Sequence, residues 1–158
     1  MQVRQIPMAQ LRGIIDEQLA HGEALLPVTG NSMWPLLVGG RDMVRLARPD
    51  RCAQSGDIAL YQKADGSYIL HRVIRLCAPE TCICCGDAQW EGEQVDEAQI
   101  IAYVTAFRRK GRWRETALSR PYRLYEHFWV HTFPARRPLL RLLRFLQRAR
   151  RGLIRGRR

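Results

Sequence analysis

Apolar residues recur along this chain at two different periods. Met8, Leu11, Ile14, Ile15 and Leu19 repeat at helical spacing, which predicts a helix over residues 8–20 with Gly22 as its stop. Beyond it, an apolar run from Ala24 to Val28 leads into a turn rich in Gly, Asn and Pro. Short β-type segments are then predicted at Asp42–Leu46, Asp57–Gln62, Tyr68–Leu76, Thr81–Cys85 and Gln99–Phe107. Turn residues separate them: Pro49-Asp50, Ser55-Gly56, Ala64-Asp65-Gly66 and Gly86-Asp87. Asp65-Gly66, between Ile58–Tyr61 and Tyr68–Leu70, reads as a hairpin turn. Arg108-Arg109-Lys110-Gly111-Arg112 reads as a charged turn, after which the pattern changes. Residues 121–133 are rich in aromatics. Over residues 138–154, Leu139, Leu142, Leu143, Leu146 and Ala149 fall along one helical face, with Arg141, Arg144, Arg148 and Arg151 toward the other. The expected organisation is an N-terminal helix (residues 1–23), a mainly β domain (24–118) and an aromatic, arginine-rich C-terminal extension (119–158).

Composition narrows the class. The chain has 158 residues, 46% of them hydrophobic and 26% charged, which is enough for one globular core and unlike a disordered chain. The net charge of +11 is unevenly placed: ten arginines and no acidic residue lie from Pro134 onward, leaving 16 basic against 15 acidic residues elsewhere. A nearly neutral body argues against a dedicated nucleic-acid-binding protein. Five cysteines (Cys52, Cys77, Cys82, Cys84 and Cys85), with no secretory leader pattern, point to reduced thiols rather than a disulfide framework. Cys-x-Cys-Cys is a poor match to the paired ligands of structural zinc, and no metal or cofactor is expected. No apolar run is long enough to span a bilayer. The expected location is cytoplasmic or peripheral on a membrane.

Candidate chemistry sits in three places. Ser32 lies in the turn Gly30-Asn31-Ser32-Met33-Trp34-Pro35, where Gly30 permits a sharp turn and Pro35 suits the first turn of a short helix. A serine hydroxyl is a weak nucleophile until a neighbouring base takes its proton. His71 is a candidate base: strand alternation puts it on one face with Ile69 and Val73, where a neutral imidazole could serve. Asp87 in the Gly86-Asp87 turn could orient that imidazole as the third member of a triad, with Glu91 and Glu93 as alternatives. Each residue also has a plain structural reading: a turn serine, a core histidine, an acid bonding its own backbone.

The order of these boxes resembles the peptidase clan of type I signal peptidases and self-cleaving, LexA-type repressors. The boxes are Gly30-Asn31-Ser32-Met33-Trp34-Pro35, Ser55-Gly56-Asp57-Ile58, His71-Arg72-Val73-Ile74 and Gly86-Asp87, and the likeness covers residues 24–106. It implies a LexA/signal-peptidase-like β-fold, to which the periodicity adds a short N-terminal helix and a basic amphipathic C-terminal helix. It also implies a serine endopeptidase cleaving a signal, leader or precursor peptide. His71-Arg72 is similar to the branch that uses histidine as base where others use lysine. By that resemblance Ser32 is the nucleophile, His71 the general base and Asp87 the acid, with Glu93 near a second acid. Gly30 stands where many bacterial members carry a serine that helps form the oxyanion hole, which leaves the Ser32 N–H as the donor. The membrane anchor of signal peptidases and the DNA-binding domain of the repressors are both missing, so a compact, stand-alone member is expected. The expected partners are an extended peptide or precursor substrate and, through the C-terminal stripe, an anionic membrane surface, with no specific nucleic acid. The alternative is a non-catalytic peptide-binding or membrane-associated module of the same fold.

Overall fold

The computed structural model describes residues 8–77 and 79–155, with side chains from Arg12 to Ala149, so those of Met8, Leu11 and Arg151 lie outside the described residues. Helix α1 (Met8–Ala20) precedes β1 (Glu23–Pro27), β2 (Met43–Ala47), β3 (Ile58–Gln62), β4 (Tyr68–Leu76), β5 (Thr81–Cys85), β6 (Glu93–Asp96), β7 (Ile100–Arg109) and β8 (Arg112–Glu115). Helices α2 (Arg120–His131) and α3 (Arg136–Arg155) follow. The protein is thus mainly β, one antiparallel sheet of eight strands with three helices.

The strand order is β1-β2-β7-β3-β4-β5-β6. The ten-residue β7 is its axis. One edge of β7 pairs with β2; along the other, β3 takes the first half and β8 the second. The hairpin at Asp65-Gly66 forms as the sequence predicts, with Gln62 opposite Tyr68 and Gly66 at φ 83°. A second tight hairpin joins β7 to β8 through Lys110 and Gly111, at φ 51° and 79°.

Both faces of the sheet are packed. Ile58 and Leu60 of β3 join Ile15 and Leu19 of α1, Met33 and Leu37 of the Ser32 turn, Val44, Leu46 and Phe107 in one cluster. Ala59 and Tyr61 face the other way, into a cluster with Val73, Cys82, Cys84, Val95 and Tyr103. A strand buried on both faces reads as a continuous apolar run, as Ile58–Tyr61 does. By contrast β8 (Arg-Trp-Arg-Glu) is exposed throughout and β6 (Glu-Gln-Val-Asp) buries only Val95, so periodicity gives no sign of them.

Helix α2 carries Tyr122, Tyr125 and Trp129 at helical spacing, with Pro121 in its first turn. Tyr122 is buried in the first cluster, so the start of the C-terminal extension is packed onto the β domain. What lies beneath this helix is polar. Arg72 of β4 is fully buried. Its guanidinium grips both carboxylate oxygens of Asp87 at 2.9 and 2.8 Å. It also donates to the Gly56 carbonyl at 2.9 Å and to the Tyr122 hydroxyl at 3.1 Å. Tyr125 donates to Asp87 at 3.0 Å, and the Trp129 indole donates to the Asp87 carbonyl at 3.2 Å. Burial opposes the charge on Arg72, but Asp87 and the tyrosines outweigh it and hold its pKa above the usual value.

Removing one member of a buried pair leaves an uncompensated charge. Arg72→Met is therefore expected to destabilise the fold by about 3–5 kcal/mol in chemical denaturation. Replacing Arg72 and Asp87 together by apolar residues is expected to cost less than Arg72→Met alone.

Candidate active site

The Ser32 turn is held from below and from its own loop. Met33, Leu36 and Leu37 are buried in the core. The Trp34 N–H donates to the Asn31 carbonyl at 3.1 Å and the Leu37 N–H to the Met33 carbonyl at 2.9 Å. No helix grows from Pro35, because tertiary burial of these apolar residues fixes an isolated turn, in which Trp34–Pro35 is cis. The glycine this loop requires is Gly39 rather than Gly30. A Cβ on Gly39 would lie 2.3 Å from the Thr29 carbonyl oxygen, whereas one on Gly30 would meet nothing within 4 Å. Asn31 and buried Asp42 complete the frame by accepting the Gly39 N–H at 3.2 Å and the Val38 N–H at 2.9 Å.

The Ser32 turn and His71 both lie against Gly86. The Ser32 carbonyl accepts the Ala88 N–H at 2.7 Å, which ties the serine turn to the loop after β5. A Cβ placed on Gly86 would stand 2.6 Å from the Ser32 carbonyl oxygen and 3.1 Å from His71 Nε2. The bare Gly86 backbone is therefore what lets the imidazole and the serine turn approach each other. Among the described residues, neither the Ser32 hydroxyl nor the Ser32 N–H has a hydrogen-bond partner. Both residues line one groove of about 1560 Å³.

The far side of the imidazole is organised by Tyr61 of β3, Lys63 just beyond it and Glu93 of β6. His71 Nδ1 lies 3.2 Å from the Tyr61 hydroxyl and 3.7 Å from Glu93 Oε1. Tyr61 in turn donates a short hydrogen bond to Glu93. Lys63 salt-bridges the other carboxylate oxygen at 2.8 Å. Burial pushes the Glu93 carboxyl up, but Lys63 and Tyr61 outweigh it and hold its pKa below the usual range, so it is an acceptor. The single tyrosine proton goes to Glu93, and the tyrosine oxygen is left to accept from His71 Nδ1–H. The imidazole is then the Nδ1–H tautomer, with a lone pair on Nε2, the nitrogen beside Gly86 and the serine turn. Burial lowers the His71 pKa; Glu93 and Asp87 counter this in part, while Lys63 adds to it.

The three acids considered as partners of His71 separate cleanly. Asp87 is fully buried, and its carboxylate is taken by Arg72 and Tyr125; among the described residues it makes no hydrogen bond to His71. Glu91 is exposed and pairs with Arg137 at 3.2 Å. Glu93 is the acid that reaches the imidazole, directly at 3.7 Å and through Tyr61. The reason is register: Glu93 opens β6 opposite Cys84 of β5, while Tyr61 faces the same cluster from β3. Tyr61, Lys63 and the bonding of Arg72 do not stand out in the sequence as candidate site residues. The alternation of Tyr61 with Leu60 on an apolar strand was the available signal. A further buried cation, Arg136 at the start of α3, donates to the Gly86 carbonyl at 3.2 Å and the Trp129 carbonyl at 2.8 Å. It fixes Gly86 from behind.

The groove runs between two unpaired strand edges. β1 is the last strand of the sheet and pairs only with β2. Val28 exchanges hydrogen bonds with Asp42 and Gly40 on the β2 side, so by alternation Leu25 and Pro27 turn their backbone groups outward. Gln18 covers part of this edge by accepting the Leu25 N–H at 3.1 Å. Across the groove, β4 pairs with β5 only from Arg72 onward, which leaves Tyr68–His71 without a strand on that side.

Among the described residues, no group of three or more metal-binding side chains is present. Cys82 and Cys84 share a buried face, with sulfurs 3.7 Å apart. Burial pushes the Cys85 thiol up to about 11.

Nitrogen-15 NMR of the ring checks the tautomer. His71 is expected to carry its proton on Nδ1 and to titrate below an exposed histidine, while Tyr61→Phe should mix the tautomers. Gly86→Ala is expected to force the imidazole and the Ser32 carbonyl apart, seen as a lowered melting temperature and shifted His71 resonances. In comparison with known proteins, no family model and no curated protein matches the chain.

Proposed function

We propose that the protein is a serine endopeptidase that cleaves a signal, leader or precursor peptide, with Ser32 as nucleophile and His71 as general base, on a LexA/signal-peptidase-like fold. The observation that carries this reading is that the Ser32 turn and His71 Nε2 both lie against Gly86, with both residues lining one groove. The resemblance of the ordered sequence boxes supplies the reaction class.

In this mechanism the peptide lies extended in the groove, with its main chain against the open edges of β1 and the first half of β4. Gln18 gives way where the peptide takes up the Leu25 N–H. His71 Nε2 accepts the Ser32 proton as Oγ attacks the scissile carbonyl. The imidazolium so formed is stabilised by Glu93, directly and through Tyr61, so Glu93 fills the orienting role that the resemblance gives to Asp87. Asp87 serves instead as a positioning residue that anchors the Gly86 loop through Arg72. The unpartnered Ser32 N–H is the donor available to the oxyanion. Collapse of the tetrahedral species expels the amine, which takes the proton from His71. Water deprotonated by the same nitrogen then hydrolyses the acyl-enzyme.

Co-expression of the wild type or Ser32→Ala with peptides encoded nearby, followed by mass spectrometry, tests the assignment. A single cut that disappears in both Ser32→Ala and His71→Ala is the expected result; an unchanged cut in either removes the proposal, and binding without any cut indicates the non-catalytic module. Glu93→Gln is expected to lower the rate by up to about 10⁴-fold. Because His71 must be neutral to act, the rate falls as pH drops through its pKa. Burial depresses that pKa, so the acid limb should lie below the range of an exposed histidine.

We also assign a membrane-surface role to α3. Among the described residues no helix is long and apolar enough to cross a membrane. The stripe that looks continuous in the sequence is divided: Leu140 is buried on the domain, Leu139 and Leu143 are half-buried, and Leu142, Phe145 and Leu146 are exposed. Exposed Arg137, Arg141 and Arg148 flank them. An apolar strip edged by arginines suits the headgroup boundary of an anionic bilayer. The wild type is expected to co-float with vesicles containing phosphatidylglycerol and to be released by salt. Phe145→Gln with Leu146→Gln should abolish the association.

A further inference from the structure

The β7–β8 hairpin carries a charge arrangement that the proposed peptidase does not use. Arg109 and Arg112 are directly opposite each other across the hairpin, and Phe107 opposite Arg114 continues the same face. Like charges in direct cross-strand register destabilise a sheet. Here nothing neutralises them: among the described residues, no ion pair involves Arg109, Lys110, Arg112 or Arg114. The Nε of Arg109 is buried without a hydrogen-bond partner.

These four cations line a cleft of about 440 Å³ that contains no carboxylate. Its opposite wall is the start of α2. Ser119 holds the N-cap position, yet its side chain makes no capping hydrogen bond, so its hydroxyl is free to donate into the cleft. The first-turn N–H groups of a helix add positive potential at that end. The floor is Tyr122 and Tyr125, whose hydroxyls bond to Arg72 and Asp87.

We infer that this cleft binds a phosphate group, held by Arg109, Arg112 and Arg114 and capped by Ser119 at the α2 N-terminus. Planar guanidinium donors match the paired oxygens of a tetrahedral oxyanion, and an anion here relieves the opposition of Arg109 and Arg112. The phosphate is either free in solution or the headgroup of a lipid; both present the same oxygens to the cleft. This inference stands independently of the peptidase reading, because it uses none of Ser32, His71 or Glu93.

Thermal melting of the full chain in inorganic phosphate against chloride, at matched pH and ionic strength, tests it. The melting temperature is expected to rise with phosphate concentration. Arg112→Gln and Arg114→Gln, both at exposed and unpaired positions, should fold normally and weaken binding roughly tenfold or more each. In parallel, vesicles of phosphatidylcholine with and without phosphatidate identify the source. Arg112- and Arg114-dependent binding to phosphatidate vesicles without a response to free phosphate assigns a headgroup, whereas the reverse assigns a soluble phosphate. The inference is overturned if phosphate and chloride give equal melting temperatures and the vesicles show no Arg112- or Arg114-dependent binding. It is equally overturned if the variants respond to both probes as the wild type does.

Discussion

The buried pair between Arg72 and Asp87 is the interaction on which the rest of the structure depends. Arg72 sits in the middle of β4, next to His71, and Asp87 follows Gly86. Their two parallel hydrogen bonds lock the loop after β5 against the strand that carries the imidazole. The same guanidinium reaches Gly56 ahead of β3 and Tyr122 on α2. One side chain thus joins its own strand to two loops and a helix. Such a pair is costly to desolvate, and its geometry must be nearly complete for the fold to tolerate it. Here it is: Tyr125 and the Trp129 indole supply further hydrogen bonds to Asp87.

This frame explains why His71 turns to Glu93. With Asp87 committed to Arg72, the imidazole needs another acceptor, and the strand register provides Tyr61 and Glu93 on the opposite face. The chain Lys63–Glu93–Tyr61–His71 runs from the half-exposed rim to the buried ring. Lys63 keeps Glu93 ionised, Glu93 takes the tyrosine proton, and the tyrosine fixes the tautomer. The outcome is a basic nitrogen directed at Gly86, where absence of a side chain lets the serine turn approach.

The arginine-rich C-terminus has more than one physical role. Arg136, its first described cation to be fully buried, braces Gly86 from behind through backbone carbonyls and stacks over Trp129 and Phe133 at 5.4 and 5.0 Å. Among the described residues, Arg137, Arg141 and Arg148 are exposed and edge the exposed apolar strip of α3. A uniform run of charge in the sequence is therefore divided between a structural anchor and a surface by which face each residue occupies.

The periodicity of the chain was sufficient to place α1, most of α3, the Asp65-Gly66 hairpin and the five apolar strands, because each carries apolar residues at a regular spacing. It also marked Ser32 and His71, since a serine in a Gly/Asn/Pro turn and a histidine within a strand each depart from their surroundings. It could not reveal β6, β8 or α2. The first two are strands held by pairing with neighbours, and α2 is held by aromatic packing over a buried ion pair. Nor could it choose among Asp87, Glu91 and Glu93. All three are acids within a few residues of one another in and after the same turn, and local sequence gives them similar access to the imidazole. Only the tertiary register decided: it turned Asp87 inward onto Arg72, left Glu91 in solvent with Arg137, and set Glu93 across from Cys84, within reach of Tyr61 and His71. Side-chain pairing between strands distant in sequence depends on how the sheet folds, which spacing along the chain does not encode.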